Sequence, residues 1–274
     1  MAKVFVIGSN KGGVGKSTTC MNLAGYFANQ GKKVAVLDTD IDYEENGVRH
    51  EGRKSCQKFF LLRHNAYDEQ IPYVQCIGIP PNQKLNRQIE SLKNDGYDFI
   101  IVDTPGFSNL AFQSAAISAD KVIILTEPGR ISYDANLALA HKLKFLEETL
   151  QITHEDFKID SLLVASRFDA QKKPDLKPLQ KFYALNLINQ FSYTINTINS
   201  VSAVTNAQNE FLTVFDDKKY KIARPMYSVL ISEILNEKKP RWVRGQKVDD
   251  SLQNIIDNAD IIDWFISYKG IFHA

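Results

Sequence analysis

Val4-Phe5-Val6-Ile7-Gly8-Ser9-Asn10-Lys11-Gly12-Gly13-Val14-Gly15-Lys16-Ser17-Thr18 is the stretch on which the reading of this chain turns. An apolar run leads into the glycines. Behind them Cys20, Leu23, Ala24 and Phe27 share one helical face. Strand, glycine-rich turn and helix make the setting of a phosphate-binding loop. The backbone must curl around an anion with its N–H groups inward, and side chains would block that approach. The helix opening at Lys16 adds a partial positive charge at the same place. Lys16 is expected to reach the β- and γ-phosphates, and the Ser17 hydroxyl to ligate Mg²⁺. The general pattern wants glycine where Asn10 stands, and Asn is a residue that tolerates left-handed backbone. The variant with a lysine before the glycine pair fits in full, from Lys11 to Ser17.

Outward from the loop, short apolar runs alternate with helical patterns. Strands are expected over 33–37, 73–79, 97–102, 121–125, 162–165 and 191–195. Helices are expected over 56–62, 85–92, 134–150 and 174–187, while 42–70 is otherwise polar and unpatterned. Gly31 is placed to end the first helix. The alternation predicts an α/β fold, a mostly parallel sheet with helices on both faces. Ligands in such sheets bind beyond the strand C-termini, where the glycine loop, Asp38, Asp40 and Asp103 should converge.

Composition sets bounds. With Lys+Arg 33 against Asp+Glu 32, the formal charge is +1, so any nucleic-acid contact must use a local patch. The three cysteines, Cys20, Cys56 and Cys76, lack C-x-x-C spacing, which suits reduced thiols in a cytosol and argues against zinc. No run reaches membrane-spanning length and no leader is expected. The first strand starts at Lys3, so no N-terminal DNA-binding domain is expected.

The KGGVGKST loop resembles the deviant Walker A motif of the ParA/MinD ATPases. The resemblance implies a P-loop NTPase fold over 1–236, a homodimer with ATP between the subunits, and Lys11 crossing to the partner's phosphates. It implies nucleotide contacts from Lys11, Gly12, Gly13, Val14, Gly15, Lys16, Ser17 and Thr18. Asp103 ends the apolar run Phe99-Ile100-Ile101-Val102 and matches a Walker B aspartate, which holds Mg²⁺. Thr104-Pro105-Gly106 is similar to the family's second switch. Asp38-Thr39-Asp40 resembles its second acidic motif, with Asp40 in the place that orients the attacking water; Ile41-Asp42 follows it in MinD or MipZ style. Lys11, Lys16 and Asp40 form the expected catalytic set. Ser166-Arg167 stands where many relatives carry Asn-Arg, so Arg167 either flanks the adenine or is a surface residue.

Three basic clusters stand out: Lys172-Lys173 with Lys177; Lys218-Lys219 with Lys221 and Arg224; and Lys238-Lys239 with Arg241, Arg244 and Lys247. Singly each reads as a solvated face; on a dimer, Lys218, Lys219, Lys221, Arg224, Arg241 and Arg244 could form a phosphate-contacting stripe. Residues 237–274 are a basic segment followed by an amphipathic helix with Leu252, Ile255, Ile256, Ala259, Ile262 and Ile266 on one stripe. Asp257, Asp260 and Asp263 would be repelled by anionic lipid, so docking on the domain is expected rather than membrane anchoring. The expected function is an ATP-dependent DNA-partition ATPase, cytoplasmic and nucleoid-associated, with non-specific DNA and a ParB-like activator as partners. The alternatives are a MinD-like membrane-associated spatial regulator and a conjugation or cargo-positioning ATPase.

Overall fold

The computed structural model describes residues 1–105, 109–127, 129–168, 176–189 and 191–259. Gly106, Lys172, Lys173 and the second half of the expected tail helix lie outside the described residues. The first half of the chain runs β1 (Lys3–Gly8), α1 (Lys16–Asn29), β2 (Val34–Asp38), β3 (Tyr43–Glu45), β4 (Val48–His50), α2 (Ser55–Tyr67), β5 (Gln75–Gly78), α3 (Asn86–Asn94) and β6 (Phe99–Asp103). Then come α4 (Leu110–Ser118), β7 (Lys121–Thr126), α5 (Arg130–Gln151), β8 (Ser161–Phe168), α6 (Leu176–Ile188), β9 (Ile198–Asn199), α7 (Ser202–Asn209), α8 (Arg224–Ile234) and α9 (Asp250–Asp257).

Seven strands form one parallel sheet in the order β5-β2-β6-β1-β7-β8-β9. This is the expected α/β architecture. Period-two alternation divides the strand side chains between two cores. Val4, Val6, Ile100, Val102, Val122 and Ile124 face α3, α4, α5, α6 and α9. Phe5, Ile7, Ile101, Ile123 and Leu125 face α1, α2, α7 and α8. Both faces are covered, which is why the strands read as continuous apolar runs.

Three expectations are corrected. Residues 42–70 hold an exposed antiparallel hairpin, β3–β4, and α2 runs to Tyr67 rather than stopping at 62. The hairpin escapes the sequence because its residues are polar on both faces, so no alternation marks it. Residues 191–195 do not form a strand; Tyr193 alone bridges Leu163 and Trp242. The strand expected over 73–79 is confined to Gln75–Gly78, at the sheet edge.

The segment after 236 contributes directly to the core. Trp242 is buried, and Leu252 and Ala259 pack into the same cluster as α6. The Asp249 carboxylate caps α9 by accepting from the Leu252 N–H.

Candidate functional site

Strands β1, β2 and β6 end level with one another, with Asp103 in register with both Ile7 and Asp38. The ends are cross-tied. Thr39 donates its N–H and its hydroxyl to Asp103 O, each at 2.9 Å, and the Thr104 hydroxyl donates to Ile7 O at 2.7 Å. Gly8 closes β1 against the Phe112 ring, where a Cβ would sit 2.7 Å from Cε2.

The loop beyond Gly8 turns through left-handed backbone at Gly13 (φ 82) and Gly15 (φ 93). Gly15 precedes α1 and no side chain caps the helix, so its first N–H groups are left to a ligand. Asn10 is not left-handed, contrary to the reason its type suggests. Its amide tethers the loop to α5 instead, donating to Ala135 O, while its N–H donates to Asn136 Oδ1 at 2.7 Å. Ser9 donates to the same oxygen at 3.2 Å. The loop is therefore fastened to α5 before any ligand arrives.

Lys16 is buried at 7% exposure, with Nζ donating to Lys11 O at 3.3 Å. Burial holds its ammonium below the usual lysine range, against the opposing pull of Asp103 and Asp40. Asp103 is fully buried. Its Oδ2 accepts from Cys56 Sγ at 3.2 Å, and its Oδ1 has no protein partner. Burial pushes its carboxyl up to about 7, with the nearby Ser17 hydroxyl pulling the other way. An orphaned carboxylate oxygen beside Ser17 suits a hard divalent cation, so the residues present fit Mg²⁺.

The second acidic motif divides its labour. Asp38 is structural: Oδ1 accepts from the Asp40 N–H and Oδ2 from the Gln57 N–H, both at 3.0 Å, which ties the first turn of α2 to the sheet. Asp40 is half-buried and lines a cavity of about 230 Å³ together with Lys16, Ser17, Arg53 and Pro105. A second cavity of about 180 Å³ shares Gly13, Gly15 and Thr18 with it and is bounded by Ile198, Val201 and Tyr227. A larger cavity of about 400 Å³ lies between α2 and β5 and touches no glycine of the loop, so size does not mark the site.

Lys11 folds back on its own chain. Its ammonium pairs with Glu127 Oε2 at 2.5 Å and donates to the Ser132 hydroxyl at 2.9 Å. Arg167 is at the site and not merely on the surface: Nη1 donates to Gly13 O at 2.7 Å, and its backbone is left-handed (φ 54). A non-glycine residue in that region is uncommon and concentrates at functional sites.

Comparison with known proteins bears on this arrangement. The family model described as ATPase MipZ matches residues 3–138, which span the glycine loop, both acidic motifs and the first turns of α5. Over that span the chain resembles the ParA/MinD family. The septum site-determining protein MinD of Bacillus subtilis is 31% identical over 148 residues, 47% of this chain and 54% of that protein. The chain thus spans about half the length of the MinD it matches. Two solved structures share the fold. MinD of Pyrococcus horikoshii, complexed with Mg-ADP, is 20% identical at TM-score 0.56, over 87% of this chain and 97% of its own. A plasmid partition protein of Borrelia burgdorferi bound to AMPPNP is 17% identical at TM-score 0.57, over 85% and 100%.

The ParA/MinD motif residues converge, while several of the basic residues expected to bind DNA are engaged within the subunit. Arg241 and Arg244 flank Trp242 and Val243, and Val243 shares a cavity with Lys121 and Asp160 at the N-terminal ends of β7 and β8. Arg241 donates to the Ser251 hydroxyl at 2.7 Å, and Arg244 pairs with the buried Glu147 at 2.6 Å. Lys219 pairs with Glu210 at 2.5 Å. Arg224 is a strut: its guanidinium donates to the carbonyls of Val214, Phe215 and Asp217. Lys218 and Lys221 are exposed on the turn Lys218–Ala223.

Arg53, Glu127, Ser132 and Cys56 belong to the site and were not singled out as site residues from the sequence. Cys56 sits in the first turn of a helix whose apolar spacing is legible. Arg53 follows an unpatterned polar stretch, and no local signal marks it.

Proposed function

We propose that this chain binds Mg·ATP and hydrolyses it slowly, and that the nucleotide governs dimerisation. The observation that carries this reading is the presence together, at the glycine loop, of a buried lysine and a buried carboxylate that has one oxygen unpartnered. The loop N–H groups and Lys16 would hold the phosphates; Ser17 and Asp103 would hold the ion. When bound, Mg²⁺ would neutralise phosphate charge. Asp40, at the cavity rim, would orient a water for in-line attack. Lys11 would leave Glu127 and reach the partner's phosphates. Asp40→Ala should keep nucleotide binding while phosphate release drops to background, because a water-orienting group acts on the transition state. Normal turnover in Asp40→Ala would remove that role.

The finer reading is positioning of DNA or another cargo, with non-specific DNA as the matrix and a small DNA-bound protein as the activator of hydrolysis. The fold likeness to a plasmid partition protein supports it, as do the exposed Lys218 and Lys221. Gel shifts with the ATP analogue should show sequence-independent binding that falls steeply with salt and weakens on Lys218→Glu with Lys221→Glu. Binding that needs no nucleotide would count against it. The resemblance to MinD leaves a second reading, a membrane matrix; nucleotide-dependent co-sedimentation with anionic liposomes, without DNA binding, would select it.

A further inference from the structure

Residues 52–54 are clamped by four bonds onto Asp40, of the second acidic motif, and onto Asp42 just after it. The Gly52 N–H donates to Asp42 Oδ1 at 3.0 Å and the Arg53 N–H to Asp40 Oδ1 at 3.3 Å. The Lys54 N–H donates to Asp40 O at 2.7 Å, and Lys54 Nζ to Asp42 Oδ2 at 2.6 Å. The fit is close. A Cβ on Gly52 would lie 2.3 Å from Asp40 O, and Lys54 takes left-handed backbone (φ 54) to enter α2. Strain of this kind persists where the surroundings fix it.

The clamp carries the Arg53 side chain over the glycine loop. Nη2 stands 3.8 Å from where a Cβ on Gly12 would be, and the residue lines the cavity that holds Lys16, Ser17, Asp40 and Pro105. It does not line the adjoining cavity bounded by Ile198 and Tyr227. Among the described residues no carboxylate pairs with its guanidinium. The other two cations near the loop are engaged, Lys11 with Glu127 and Arg167 with Gly13 O. Arg53 and Lys16 are thus two positive groups around one cavity, close enough that Arg53 disfavours the Lys16 ammonium, after the larger effect of burial. Like charges held together in this way call for an anion between them.

We propose that Arg53 is a phosphate-contacting residue of this site, acting within its own subunit on the terminal phosphate of a nucleoside triphosphate. This rests on the nucleotide reading above. The terminal phosphate is assigned because Arg53 lines only the end of the site that holds Asp40 and Pro105. A guanidinium presents a planar fork of donors that matches phosphate oxygens and keeps its charge at any working pH. Placed there it would also meet the charge that spreads over the transferring group.

Calorimetric titration of the wild type, Arg53→Ala and Arg53→Lys with Mg·AMPPNP and with Mg·ADP separates the possibilities. Arg53→Ala should weaken AMPPNP binding at least about tenfold and ADP binding less than about twofold, with Arg53→Lys between. Equal weakening of both ligands, or no change in either while the wild type binds both, overturns the assignment and leaves the nucleotide reading standing. A wild type that binds neither ligand removes the nucleotide reading, and this one with it.

Discussion

Lys11, at the start of the glycine loop, and Arg53, beside it, are held in opposite ways. Lys11, on the α5 side, is engaged: an ion pair with Glu127 and a bond to Ser132 keep it on its own subunit. Arg53, on the α2 side, has its backbone fixed by Asp40 and its guanidinium left open to the cavity. If Lys11 reaches a second subunit, as proposed, it has to be released first, so its resting partner sets a threshold. A residue that serves its own subunit is best pre-placed. The loop beneath them behaves like Arg53, because Asn10 and Asn136 fasten it to α5 independently of any ligand.

The largest expected effect comes from the group common to both sides. Lys16→Ala removes a buried cation at the glycine loop and should lower nucleotide affinity by more than about a hundredfold, since a charge-assisted contact in a dry site is worth several kcal/mol. Fluorescent-nucleotide titration measures it. A loss of tenfold or less would move the anion site away from Lys16, towards Arg53.

A middle-sized effect is expected at Asp103. In the unfolded chain its carboxyl ionises near 3.8, whereas burial in the fold pushes it up to about 7. Between those values the folded chain holds a proton that the unfolded chain has lost. The ligand-free protein should therefore lose stability as pH rises through that window. Asp103→Asn should flatten this slope and stabilise the ligand-free protein at pH 8 by roughly 2–4 kcal/mol. The same variant should gain little from Mg²⁺. Thermal melts between pH 4 and 8 check both statements; a destabilised Asp103→Asn would mean that the carboxyl is ionised and well paired in the fold.

The smallest effect sharpens the comparison itself. Glu127→Gln loosens a half-exposed ion pair worth about 0.5–1 kcal/mol, so nucleotide-dependent dimerisation should strengthen by roughly two- to fivefold. Sedimentation at graded protein concentration reads it. A weakened dimer would show that Glu127 does more than restrain Lys11.

What the sequence revealed, and what it did not, follows the same division. The glycine loop, the Asp103 strand and the Asp38–Asp40 turn each carry their signal within a few residues, as an apolar run stopped by a particular residue type. Those elements were legible together with their convergence at the strand ends. Arg53 was not, because it stands 13 positions after Asp40, beyond a mostly polar, unpatterned stretch, and only the folded clamp brings the two together. Glu127 and Ser132 were missed for a similar reason: their partner Lys11 is 116 residues away from Glu127 and 121 from Ser132. Arg224 shows the opposite failure. Its charge suggested a surface contact, but the fold turns the guanidinium onto backbone carbonyls.

The most direct measurement is calorimetric titration of the wild-type protein with AMPPNP, in Mg²⁺ and again in EDTA. If Lys16 and Asp103 form a Mg·nucleotide site, binding should be saturable at one nucleotide per subunit and at least about tenfold tighter with Mg²⁺. Affinity that is the same in EDTA, or no binding in either buffer, would contradict the account.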